Sequence, residues 1–87
     1  MAVAAGHVKW TKHAALQALS RQIRSTEALK VISQGQILEQ HLHAKPLPKC
    51  LMVGFVRQSE PLYVSLAFDA GTQSVTIITV HWFDPHK

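Results

Sequence analysis

Apolar residues along this chain recur at helical spacing up to Gly35 and afterwards alternate, or run in short β-branched stretches. Residues 11–22 predict a helix with Thr11 as its N-cap, because a hydroxyl there can accept a free first-turn amide. Leu16, Leu19 and Ile23, extended by Ala15, form the stripe expected to face the core. His13, Gln17, Ser20, Arg21 and Arg24 form a second, polar stripe. TEALKVISQ predicts a second helix, capped by Ser25 or the residue before it. Ala28, Leu29, Val31 and Ile32 are its apolar positions, and Gly35 is its C-terminal stop. The short link between the helices implies an αα-hairpin or a sharp corner.

Beyond Gly35, QILEQHLH predicts a strand, AKPLPK a proline-bearing loop, and CLMVGFVR, LYVSLAF and SVTIITVHW three more strands. The connections QSEP and DAGTQ are turn-like, so these strands should pair as an antiparallel meander. After a loose start, MAVAAGHV, the expectation is one α+β domain over residues 1–87, with two N-terminal helices packed on a four-stranded antiparallel sheet. For the last two strands, pairing Asp69 with Val75 sets Leu66 opposite Ile78, Val64 opposite Val80 and Leu62 opposite Trp82 on an apolar face. The other face then carries Tyr63 opposite His81 and Ser65 opposite Thr79.

Composition narrows the class. With 87 residues, 47% hydrophobic and 16% charged, the chain is globular but too short to enclose a deep site, so a shallow cleft is expected. The single Cys50 cannot form an internal disulfide, no leader pattern opens the chain and no apolar run is long enough for a membrane span, which together point to a cytoplasmic protein. The net charge of +4 is unevenly placed. Lys9, Lys12, Arg21, Arg24 and Lys30 stand against Glu27 alone in residues 1–30, whereas cations and acids balance over residues 31–87. Such an asymmetry suits an anionic partner, nucleic acid or an acidic protein, and equally suits a solvated surface.

The residues that could carry chemistry are His13, Arg21 and Arg24 on the basic helix and its end, with Tyr63, Ser65, Thr79 and His81 on the polar sheet face. Metal-independent cleavage of an RNA phosphodiester needs a base for the 2′-hydroxyl, an acid for the leaving oxygen and cationic support for the phosphorus centre. Histidine suits either proton transfer and arginine makes paired phosphate contacts. Each also has an ordinary structural use: His81 as a hydrogen-bonded strand-end residue, His13 as a helix-start contact. His41 and His43, with Cys50 across the proline loop, could be read as metal ligands, but no recognised ligand motif completes them and a polar edge strand explains them. No metal is therefore assigned. No P-loop, GxGxxG or GxSxG is present, so no cofactor is expected. An aromatic content of 7% argues against a base-stacking platform.

KWTKHAALQALSRQI, VISQGQILEQ, CLMVGFVRQSEPLYVSLAFD and VTIITVHWFDP resemble the small bacterial domain-of-unknown-function family 4258. His13, Ala14, Arg21, Ile23, Gly35, Gly54, Pro61, Leu62, Thr79, Val80, Asp84 and Pro85 match its pattern. Gln17 stands where the family has an arginine and Gln22 where it has a glycine. Tyr63 and His81 exchange a His and a Tyr, which keeps the pair but moves the imidazole by one strand. The family's element order is similar to that of RelE/ParE-like toxins, which include ribosome-associated ribonucleases and gyrase inhibitors. That likeness is one of fold and assigns no activity; taken with the residues above, the leading expectation is a toxin-type, metal-independent ribonuclease, its catalysis weakened or absent for want of an arginine at Gln17. His13 and His81 would then transfer protons, Arg21 and Arg24 contact phosphates, and Tyr63 position the substrate. The rival expectation is a non-enzymatic module that binds RNA or an acidic antitoxin-like protein. A homodimer through the edge QILEQHLH is also expected to be open to the chain.

Overall fold

A strand absent from the residue pattern changes the layout of the sheet. The computed structural model describes residues 8–57 and 60–83. In chain order the elements are β1 (Val8–Trp10), α1 (Lys12–Ser20), α2 (Ser25–Gln34), β2 (Gln36–His41), β3 (Lys49–Arg57), β4 (Glu60–Asp69) and β5 (Ser74–Trp82). The order across the sheet is β1-β5-β4-β3-β2. From β2 to β5 the strands form the expected antiparallel meander. β1 adds to β5 in parallel, with Val8 opposite Val75 and Trp10 opposite Ile77. The expected four-stranded, antiparallel, RelE-like sheet is thereby corrected to a five-stranded mixed one. Three residues are too few to show a period of two, and β1 exists because Val8 and Trp10 pack on a core that later elements supply. The remainder of the start expected to be loose, Gln58 and Ser59 of the expected QSEP turn, and Asp84 and Pro85 lie outside the described residues.

Thr11 caps α1 as its sequence position predicts. Its Oγ1 accepts from Ala14 N at 3.0 Å and donates to Ile78 O at 3.3 Å, so the same hydroxyl ties the helix to β5. The helix stops at Ser20 through a Schellman arrangement, Gln22 N to Leu19 O and Ile23 N to Ala18 O. That arrangement requires the residue between to turn left-handed, and Gln22 has φ 56°. Of the two cap candidates for α2 it is the residue before Ser25 that serves: Arg24 is the N-cap, and its N–H donates to Glu27 Oε1 at 2.9 Å. Gly35 does end α2, but with φ −76° and ψ −178° it is in an extended conformation that any residue adopts. Its lack of a side chain matters for space, since a Cβ would lie 2.5 Å from Val31 O and 2.6 Å from Val53 O where α2 meets β3.

The core-facing stripe of α1 is a correction. Leu16 and Leu19 are 56% and 79% exposed, and the helix instead buries Ala14 and Ala18. Ile23, beyond the helix end, is buried as expected, and α2 buries Ala28, Val31 and Ile32. These side chains meet Met52, Leu62, Val64, Leu66, Val75, Ile77 and Val80 in one core cluster, so both helices cover one face of the sheet.

The β4–β5 register holds for half its length. Leu62 is opposite Trp82, Tyr63 opposite His81, Val64 opposite Val80 and Ser65 opposite Thr79. It then slips by one, to Leu66 opposite Ile77, Phe68 opposite Val75 and Asp69 opposite Ser74, because Ile78 is an extra residue on β5. The bulge turns Val75 and Ile77 into the core, where both are fully buried. Without the bulge Thr76 and Ile78 would face the core instead, so what it adds is the burial of Val75, roughly 1.5–3 kcal/mol, in place of a threonine, against the ~1 kcal/mol of a lost ladder hydrogen bond. At the opposite margin β2 is an outer strand whose six residues are all exposed. No described helix is long and apolar enough to cross a membrane.

Replacing Gln22 by glycine should stabilise the protein by about 0.5–1 kcal/mol, because a left-handed residue with a Cβ carries a cost that glycine lacks, partly offset by glycine's freer unfolded chain. An upward shift of the urea midpoint with unchanged slope is the expected result.

Candidate functional site

β1 ends opposite Ile77, which leaves the later residues of β5 without a strand on that side. α1 takes the vacant place. Gln17 Oε1 accepts from Val80 N at 3.1 Å, and Trp82 Nε1 donates to Arg21 O at 3.0 Å. A side-chain amide and an indole therefore satisfy groups that a strand or water would otherwise meet. From β3, Arg57 completes the clamp. Its guanidinium carbon lies 4.5 Å from the centre of the Trp82 ring, Nε donates to Glu27 Oε2 at 2.7 Å, and Nη2 donates to Glu27 Oε1 at 2.9 Å and Gln22 O at 2.8 Å. The hydrogen-bonded Arg57 guanidinium is the main reason the Glu27 carboxyl lies below its ordinary pKa; bonding from the Arg24 backbone adds to it, against an opposing effect of burial.

The helices occupy one face of the sheet, and Tyr63, Thr79 and His81 project from the other. Between that face and the helix at the β5 edge lies an open cleft of about 600 Å³, lined by Gln17, Arg21, Tyr63, Thr79, His81, Trp82 and Phe83. The Tyr63 and His81 rings stack at a centroid distance of 5.1 Å with planes 3° apart, and Phe83 lies 6.4 Å from Tyr63 at 29°. His81 Nδ1 is 3.2 Å from Trp82 O. A carbonyl oxygen can only accept, so the tautomer that makes this bond carries its proton on Nδ1 and leaves Nε2 as an acceptor.

Of the residues singled out in the sequence, Arg21, Tyr63, Thr79 and His81 share this cleft. His13 is exposed in the first turn of α1, one turn before Gln17, and is not among the lining residues. Arg24 is exposed at the α2 N-cap and is also outside the lining, as is Ser65. Gln17, Trp82 and Phe83 are lining residues that the sequence reading did not place at a site. For Phe83 a signal was present, since residues 81 and 83 are two apart in extended chain and so face the same way. His41 closes β2 and His43 lies in the turn after it, so the two do not share a strand. Cys50 is half-buried opposite Gln40, and burial pushes its thiol pKa up. Among the described residues no group of three His, Cys, Asp or Glu side chains could hold a metal ion.

A family model described as a domain of unknown function, DUF4258, matches residues 10–82. No curated protein and no solved structure matches the chain.

Two consequences can be measured. Gln17→Ala removes the acceptor for the Val80 amide and should cost about 1–2 kcal/mol, with faster hydrogen exchange at Val80, whereas Gln17→Glu keeps an acceptor and should restore most of the protection. Glu27→Gln should lower the urea midpoint near neutral pH. Because the folded-state pKa of Glu27 lies below its ordinary value of 4.5, the carboxylate's contribution is complete above that value and is lost as pH falls through the folded one. The difference between wild type and Glu27→Gln should therefore shrink in acid.

Proposed function

This chain belongs to the DUF4258 family, and we propose that its cleft is the site of a toxin-type, metal-independent ribonuclease. The observation supporting this reading is that a cation, an imidazole and two hydroxyls, Arg21, His81, Tyr63 and Thr79, converge on one open cleft. RNA carries its own nucleophile. The 2′-oxygen attacks the adjacent phosphorus as its proton leaves, the bond to the 5′-oxygen breaks, and that oxygen takes up a proton. His81 Nε2 would accept or return the proton, Arg21 would hold the phosphate oxygens through paired N–H donors, and Tyr63 would orient the phosphate. His13 and Arg24 could join only with RNA that extends beyond the lining. The RelE/ParE-like resemblance is one of a two-helix, four-strand order, and with β1 added to the sheet it carries no weight for activity.

A second reading has its own observation. The cleft is lined by one histidine, while concerted proton transfer uses two groups. In that case Lys9, Lys12, Arg21, Arg24 and Lys30, all exposed, engage RNA or an acidic antitoxin-like protein by charge without turnover.

RNA cleavage in the presence of EDTA separates the two. Wild type should cleave, His81→Ala should lose about 10²- to 10⁴-fold in rate and Arg21→Ala a comparable amount, with a smaller loss for His13→Ala. Wild type and all three variants being equally inert would sink the enzyme reading, and salt-sensitive RNA retention would then favour binding alone.

A further inference from the structure

We infer that Phe83, Tyr63 and His81 form a stacking platform for an unpaired base of single-stranded nucleic acid, with the adjoining phosphate on Arg21. The inference rests on the nucleic-acid reading of the cleft but not on turnover. The chain has six Phe, Trp and Tyr residues in all, few enough to argue against base stacking, yet Tyr63, Trp82 and Phe83 line this one cleft. The aromatic fraction counts residues along the chain, whereas Tyr63, Trp82 and Phe83, sparse in sequence, are gathered in space.

The rings form a row. Tyr63 lies parallel to His81 at 5.1 Å and within 6.4 Å of Phe83. Packing of the core does not explain the row, since Tyr63, His81 and Phe83 belong to the face opposite the helices and none is part of the core cluster. Phe83 is 54% exposed, an apolar ring left open in a cleft that Arg21 also lines. Its position is fixed by its backbone, whose N–H donates to Pro61 O at 3.1 Å and carries the β4–β5 pairing one residue past Trp82. Trp82, between the two ring-bearing residues, is held on the other side by Arg21 O and Arg57. The backbone that carries the rings is thus held by the β4–β5 pairing, and Tyr63 and His81 already stack on one another, which lowers the entropic cost of stacking a base beside them.

The geometry also selects the ligand. A base inside a duplex has both faces covered by its neighbours, so only an unpaired base can stack on Phe83. Stacking reads no 2′-hydroxyl, so DNA and RNA single strands should bind alike. DNA makes the cleaner probe, because without a 2′-hydroxyl it cannot be cut by the proposed chemistry.

The test is fluorescence anisotropy at fixed salt with three labelled DNA oligonucleotides of equal charge: single-stranded thymidine, its abasic counterpart and a hairpin duplex. Wild type should bind the thymidine strand at least about tenfold more tightly than the other two. Phe83→Ala should lose about ten- to a hundredfold on the thymidine strand and little on the abasic one. Phe83→Trp should retain affinity, and Phe83→Leu, which keeps apolar bulk without a π face, should not. Thermal melting of each variant confirms that it is folded. Equal affinity for thymidine and abasic strands, or no change in Phe83→Ala, overturns the platform while leaving charge-driven binding intact. Absence of binding to every oligonucleotide overturns the nucleic-acid reading as well.

Discussion

The open edge of β5 beyond Ile77 is the constraint on which the rest depends. A strand edge presents polar backbone groups that must find partners, and β1 is too short to supply them past Trp10. Thr11 and Gln17 supply partners for the Ile78 carbonyl and the Val80 amide, and the Arg21 carbonyl accepts from the Trp82 indole beside them. To reach, the helix must approach the strand closely, and its inward positions are accordingly Ala14 and Ala18. Leu16 and Leu19 are turned outward as a result. The position occupied by Gln17, where the family resemblance places an arginine, carries an acceptor for a backbone N–H, a role a guanidinium cannot fill because it has no acceptor atom.

The same contact produces the cleft. With α1 standing at the sheet edge and both helices on one face, the opposite face of β4 and β5 is left uncovered among the described residues. Three consecutive residues then serve different sides. Trp82 points toward the helix corner, where Arg57 and Arg21 hold it, and His81 and Phe83 point into the cleft beside Tyr63. Electrostatics follow the same division. Glu27, the one acid in the first thirty residues, is bound by Arg57 from β3. Among the described residues no acid pairs with Arg21, so the wall of the cleft keeps its positive charge.

Much of the architecture was legible in the sequence because it rests on local signals. The Thr11 cap, the end of α2 at Gly35, the meander from β2 to β5 and the Tyr63–His81 and Ser65–Thr79 pairs follow from capping chemistry, turn residues and the period of two. For the site, the same register argument set Tyr63, Thr79 and His81 on one face, and helical spacing set Gln17 and Arg21 on one stripe.

What the sequence by itself determined is therefore the order of elements from α1 onward, the location of excess positive charge and the partners from Leu62 to Ser65 in the last hairpin, all of which depend on neighbours in the chain or on a single turn. Tertiary structure decided the rest. β1 requires a strand more than sixty residues away, the Ile78 bulge is chosen by a core that several elements build, and leucine or alanine faces inward on α1 according to how near the β5 edge lies. The gathering of scattered aromatic residues and one arginine into a single cleft belongs with these, because no periodicity encodes which helix face will stand beside which strand end.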